Sequence, residues 1–234
     1  MKIELNIFTN AIPSAPKIDI IEKTYISFIE TFGEISDVRI WYDPKPNVEK
    51  ANEYRKNLKN FFNNKDVIDT ISLSDGYIKA IKTSGSDFMF MLEHDWTFNN
   101  DLITHSLEEI AEEMMLSKIT HFRFNKRKNE IGGQDKWIKE GNYKKVPFCY
   151  TPFLSNNPHI IYRNLYIEKE FHKIKLEKDS RGIEHNLYRT EGGIYGLLGF
   201  ENTIIHLDGT ESEHKEKEKT KKTRTKRRIR RVVK

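Results

Sequence analysis

The chain has 234 residues, of which 37% are hydrophobic, 32% charged and 12% aromatic, enough apolar material for one well-filled domain and too aromatic for a chain disordered throughout. No apolar run approaches the roughly 18–20 residues of a membrane span, no signal-like stretch opens the sequence, and the single Cys149 excludes a disulfide framework or a cysteine-based zinc site; a reducing, cytoplasmic setting is expected. The charge divides unevenly: residues 215–234 hold twelve Lys/Arg against two Glu, a net of +10, while the first 214 hold 28 basic and 33 acidic residues, a net of −5.

Residues 2–8 alternate like a strand, and 9–14 form a loop punctuated by Pro13 and Ser14. An amphipathic helix follows over 18–32, with Ile21, Tyr25, Phe28 and Phe32 at helical spacing and Gly33 beyond its end. A second strand covers 37–42 and is stopped by Asp43-Pro44-Lys45-Pro46. The alternation repeats with a helix over 48–62 and a strand over 67–73. Ser74-Asp75-Gly76 opens a helix through 84, and the nearly continuous apolar run 87–92 predicts a central strand buried on both faces.

Beyond Trp96 the expected elements are a helix over 102–116, a strand over 119–124 and a polar loop or flap over 126–145. A strand running into a short helix over 160–167, a helix over 184–198 and a strand over 203–207 complete the chain. Strands alternating with helices predict an α/β domain with a mainly parallel sheet over residues 1–210. Residues 211–234, with no hydrophobic periodicity before Ile229, are expected to be a disordered basic tail.

The sharpest chemical feature is Glu93-His94-Asp95-Trp96, at the carboxyl end of the best-buried predicted strand, where open α/β sheets bind ligands. In an extended segment residues 93 and 95 point to one side, so both carboxylates can address one hard cation, Mg²⁺ or Mn²⁺, together with phosphate oxygens. The plainer alternative is that they start a loop and cap its turn.

From Ser74 to Phe98 the order of helix, buried strand and Glu-His-Asp resembles the middle of a GT-A-fold glycosyltransferase, of the family-2 kind, in which an Asp-x-Asp-type motif binds the metal and diphosphate of a nucleotide sugar. The resemblance covers residues 1–209 and is one of pattern and motif order. It implies a Rossmann-like GT-A domain, a UDP-sugar donor and a divalent metal. By it Asp95 is a metal ligand, Glu93 and His94 belong to the donor site, and His206 on the last strand closes the metal sphere. Glu184, in Ile183-Glu184-His185-Asn186, corresponds to the general base of inverting members; as a plain helix residue it would match the helix dipole. Thr9, Asn10 and Ala11 stand where this fold meets the nucleobase, with Asp43 beside them and Asp75 and Lys79 as further nucleotide contacts. Ser155-Asn156-Asn157 stands where acceptor-side loops lie.

The tail, dense in Lys and Arg from 221 to 231, suits a polyphosphate partner such as DNA, and an anionic membrane would serve similarly. Body and tail together suggest transfer of a sugar to nucleic acid, with bacteriophage enzymes that modify hydroxymethylated pyrimidines in DNA as the nearest analogue. The basic segment 123–128 is a second place to hold such an acceptor. Two other readings stand beside it: a glycosyltransferase of surface polysaccharide or lipid-linked glycan with a membrane-associating tail, and a non-catalytic nucleic-acid-binding protein.

Overall fold

The structure, a computed structural model, describes residues 1–10, 16–44, 48–63, 66–132, 135, 137–153, 155–177 and 188–207. The first half is a run of β1 (Ile3–Asn10), α1 (Asp19–Phe32), β2 (Val38–Asp43), α2 (Val48–Phe61), β3 (Val67–Asp69), α3 (Leu73–Thr83) and β4 (Phe88–Glu93). The second half holds β5 (Trp96–Phe98), α4 (Leu107–Ser117), β6 (His121–Arg123), β7 (Lys139–Glu140), β8 (Phe148–Phe153), β9 (His159–Tyr162), α5 (Arg163–Lys169), β10 (Tyr188–Tyr195) and β11 (Ile204–His206). Among the described residues nine strands form one sheet in the order β3-β2-β1-β4-β9-β6-β10-β8-β7, and β5 pairs with β11 in a separate two-stranded ribbon. Strands β3, β2, β1 and β4 are parallel, and β6 and β10 run with them; β9 and β8 oppose their neighbours. The expected mainly parallel α/β sheet is therefore present.

Side-chain alternation divides the core into two layers. From β4, Phe88, Phe90 and Leu92 join Leu5, Ile7, Phe28 and Ile110 on one face, while Met89 and Met91 join Phe8, Trp41, Tyr77 and Ile161 on the other. The first layer is bound by aromatic contacts in which the α1 rings meet the strands: Phe28 to Phe90 at 4.9 Å and Phe32 to Phe98 at 5.2 Å between centroids. Of these rings Phe28 and Phe90 are fully buried, and each contributes on the order of 2–3 kcal/mol.

Several boundaries differ from the sequence reading, each for a local reason. The helix expected from Ser74 starts earlier, because the Ser72 hydroxyl accepts from the Asp75 N–H at 3.2 Å and caps it; β3 is correspondingly shorter. The helix expected from 102 begins only at Leu107, where Ser106 and Glu109 form a reciprocal capping box. Of the segment expected to be a helix over 184–198, residues Tyr188–Tyr195 form the strand β10. Its Gly192 fits a strand packed on a neighbour: a Cβ there would lie 2.3 Å from the His121 ring. Glycine is also a poor helix former. The strands β5, β7 and β8 had no counterpart in the expected elements.

Glu113 on α4 is fully buried, and its Oε2 accepts from the backbone N–H groups of Lys144, Lys145 and Val146 at 2.9, 2.6 and 3.1 Å. Burial acts to raise its pKa, but hydrogen bonds from Ser117 and those amides hold it below the ordinary 4.5. Its stabilising effect is thus complete above the unfolded value and lost as pH falls through the folded one. Glu113→Ala leaves three inward-facing amides without their acceptor and is expected to cost about 2–3 kcal/mol at pH 7, with a smaller loss for Glu113→Gln. Denaturant titration checks this, and a loss below 0.5 kcal/mol contradicts it.

Two buried histidines give a second pH dependence. His121 on β6 and His159 on β9 lie 6.4 Å apart between ring centroids. The Nδ1–H of His159 donates to the Asn157 carbonyl at 2.7 Å, and its Nε2 lies 3.3 Å from the Tyr77 hydroxyl. Burial pushes His159 down to about 4 and His121 well below 6.5, with Arg123 adding to both. An unfolded histidine titrates near ~6.5, so below that pH the unfolded chain takes up protons the folded chain refuses. Stability should fall from pH 6.5 toward 4, and calorimetric unfolding at pH 5 should take up about two protons at these sites. Equal thermal midpoints at pH 7 and pH 5 would rule this out.

Candidate active site

The parallel strands end together on one edge. Register pairs Phe8 with Glu93 and Asn10 with Asp43, so β1, β2 and β4 deliver Thr9, Asn10, Asp43 and Glu93 to the same rim. There they line a small notch of about 40 Å³, with Trp41, Thr70 and His94 completing it. Thr9 is anchored from below: its hydroxyl shares a 2.8 Å hydrogen bond with Tyr54, a phenol that burial pushes up to about 12. Trp41 is fixed by donating its indole N–H to Asn6 Oδ1 at 2.7 Å. Ala11 lies outside the described residues.

Past Glu93 the chain turns. The backbone N–H of His94 donates to the Phe8 carbonyl at 3.0 Å, and the His94 carbonyl accepts from the Thr24 hydroxyl at 2.7 Å. This clamps the turn onto β1 and α1, and β5 then pairs antiparallel with β11, setting His206 opposite Trp96. The Leu207 N–H donates to the Asp95 carbonyl at 2.7 Å. As a result His206 Nε2 stands 3.1 Å from Asp95 Oδ2, although 111 positions separate them in sequence. Burial acts to raise the Asp95 pKa, but the hydrogen bond from His206 and the nearby imidazoles of His94 and His206 hold it below 3.8. Its other oxygen, Oδ1, is buried without a hydrogen-bond partner among the described residues.

That orphaned oxygen is the test of whether a metal fits. A carboxylate and an imidazole at contact distance are donors suited to Mn²⁺ or similar ions, and Oδ1 lacks a partner that such an ion would supply. Among the described residues no group of three or more His, Cys, Asp or Glu could hold an ion. Among the described residues the protein ligands would be these two, with phosphate and water oxygens able to fill further positions, as is common for ions bound with a nucleotide.

Glu93 also lines a second, larger cavity of about 310 Å³, as do Trp96 and His206. Its other walls come from Arg123 and Asn125 at the end of β6, Lys126 and Arg127 beyond them, Asp135, and Ser155-Asn156-Asn157 before β9. Arg123 is buried and ion-paired with Asp135. Lys126 lies over the Trp96 ring at 5.6 Å.

Of the residues singled out in the sequence, Thr9, Asn10, Asp43, Glu93 and His94 meet in the notch, and Asp95 meets His206 beside it. Asp75 and Lys79 do not join them: they pair with each other at 2.7 Å on the first turns of α3, and Asp75 also accepts from the Ile71 N–H. These contacts are local to the helix start, and neither residue lines either cavity. Glu184, with His185 and Asn186, lies outside the described residues, as does the tail. Trp41, Thr70 and Asp135 escaped the sequence reading; an aromatic next to the strand-ending Asp43 was a usable signal for Trp41, whereas nothing links Asp135 to Arg123 before folding.

No protein-family model matches this sequence, and no curated protein matches it. Solved structures do match in shape. Over 89% of this chain the fold superposes on S. aureus TarS residues 1–349 at 11% identity with a TM-score of 0.50. It superposes over 89% on GalNAc-T7, solved with UDP, GalNAc and Mn²⁺, at 8% identity with a TM-score of 0.55. The chain spans 61% of the TarS chain and 45% of the GalNAc-T7 chain. The domain has the GT-A fold of these structures.

Proposed function

We propose that this protein is a metal-dependent glycosyltransferase that moves a sugar from a nucleotide-sugar donor, a UDP-sugar, to a hydroxyl acceptor. The observation that carries the reading is the Asp95–His206 pair, with its buried unpartnered oxygen, standing between a notch at the strand ends and a polar cavity. Support also comes from the fold shared with GalNAc-T7, whose structure holds UDP and Mn²⁺.

In this reading the notch takes the nucleoside, with Thr9, Asn10 and Asp43 against base and ribose and Trp41 as a wall. Asp95 and His206 would hold the divalent ion, which when bound neutralises charge on the departing diphosphate. Glu93, shared by both cavities, orients the sugar through its hydroxyls. Trp96 walls the transfer site and excludes water from it. Glu184 is the proposed base, taking the proton of the acceptor hydroxyl as it attacks the anomeric carbon.

For the acceptor we propose a hydroxymethylated pyrimidine in DNA. The support is the +10 tail together with Lys126 and Arg127, which line the cavity. The tail carries no aromatics, so it would supply salt-dependent affinity rather than base readout. The base itself would have to leave the stack to reach the cavity.

UDP with Mn²⁺ at a hundredfold excess over its Kd should stabilise the protein by about 2.7 kcal/mol, a rise in Tm of ~5–10 °C. Chelation should abolish that rise. Asp95→Asn should also abolish it while keeping the unliganded Tm within about 3 °C of wild type; a drop well beyond that would make Asp95 a structural residue. Sugar transfer from UDP-glucose to hydroxymethylcytosine-containing DNA should fall at least tenfold at 150 mM salt when residues 215–234 are removed. Undiminished transfer by the shortened chain would take the tail out of acceptor binding.

A further inference from the structure

The large cavity is electrically lopsided, and the sheet order says which substrate meets each side. Along the rim the strands run β2-β1-β4-β9-β6. The notch draws on β1, β2 and β4, whereas the cavity spans from Glu93 on β4 to Arg123 on β6. Two strand spacings, about 10 Å, separate those strands. The Asp95–His206 pair stands at the Glu93 end, so a donor diphosphate held there would lie away from Arg123, while the Lys126 ammonium reaches back over Trp96, whose ring centroid is 4.3 Å from that of His206.

From Arg123 at the end of β6 a cationic lining continues through Arg127 to Lys126, whose ammonium lies over the Trp96 ring, with Asp135 the carboxylate among them. Asp135 pairs with Arg123 and fixes the buried guanidinium. The side chains of Asn156 and Asn157, also buried, enter from the loop before β9. Neutral sugar hydroxyls are met well enough by amides and carboxylates. Three cations facing one acid, with a locked guanidinium among them, match an anion with several acceptor oxygens.

We propose that this wall is a phosphate subsite, which holds a phosphate carried by the acceptor close to the hydroxyl that receives the sugar. The assignment rests on the glycosyltransferase reading and adds to it where an acceptor phosphate is held, within the cavity itself rather than on the basic tail. A nucleotide and a polyol phosphate present the same group to the wall.

The test is calorimetry on the full chain in saturating UDP and Mn²⁺, using small probes so that the tail has little to bind. 5-Hydroxymethyl-dCMP is compared with its nucleoside, and glycerol 3-phosphate with glycerol. At least one phosphate ester should bind tenfold or more tightly than its parent, and which one does identifies the source. In the double variant Lys126→Gln, Arg127→Gln that ratio should fall below threefold, while the Tm rise with UDP and Mn²⁺ stays at the wild-type value. Phosphate and parent binding alike in the wild type overturns the subsite. So does an unchanged ratio in the variant, or loss of the UDP effect there, which would assign the cations to the donor. If UDP has no effect on the wild type, the glycosyltransferase reading fails, and the phosphate comparison still decides the subsite.

Discussion

The pairing of β5 with β11 is the constraint on which the site depends. β5 is three residues long and so is its partner. Such a ribbon would be marginal in isolation. Here it is bonded at both ends to the main body: Asn99 N–H to the Thr203 carbonyl, Thr203 N–H to the Asn125 carbonyl, and Leu207 N–H to the Asp95 carbonyl, all at 2.7–2.9 Å. These links tie the last described strand simultaneously to the turn after β4 and to the end of β6. The position of His206 follows from them, since register alone sets it opposite Trp96.

Below the ribbon, the sheet supplies a flat and rigid rim. Parallel strands in register must end along one line, and the residues that end them are polar because the rim is the first place the chain meets water. Rings packed between α1 and the sheet keep that line fixed, with Phe124 at the end of β6 joined to Phe90 and Phe32 at 5.9 and 5.5 Å. The same cluster reaches Phe98 on the ribbon. One aromatic core therefore supports both the acidic and the cationic ends of the site, and the spacing between them is a property of the core rather than of surface loops.

Much of the parallel half was legible in the sequence. The apolar run before Glu93 is a buried strand because no polar side chain interrupts it, and its end alone puts Glu93 and Asp95 at a rim. The limits were equally physical. Ser72 competes with Ser74 as a cap, and only the geometry of the chain entering α3 decides between them. Tyr188–Tyr195 has helical spacing of apolar groups, but its two glycines serve close strand packing against His121 and Phe122, a tertiary demand invisible to periodicity. Three-residue strands such as β5 are too short to carry a period at all. The Asp95–His206 contact was reached through family resemblance, since no spacing rule spans that separation, and Asp135 opposite Arg123 had no local signal.

The placement of polar groups separates stability from function in this fold. Glu113 and His159 are buried, yet each is held by amides, a carbonyl or a phenol, so they define packing and leave no unmet demand on the site. Asp95 differs: half of its carboxylate is satisfied by His206 and half is buried without a partner among the described residues. A buried polar atom left so costs about 1–3 kcal/mol, and a fold under selection for stability alone would replace it or give it a donor. Its retention at the one point where notch, cavity and ribbon converge is the pattern expected when an absent ligand completes the hydrogen-bonding and charge balance. The cationic end of the cavity departs from the same logic in the opposite sense, gathering like charges within one cavity in a domain whose first 214 residues are net acidic. Repulsion among them is relieved when an anion enters, so the two ends of the site each lack the charge that a sugar–phosphate chemistry would bring.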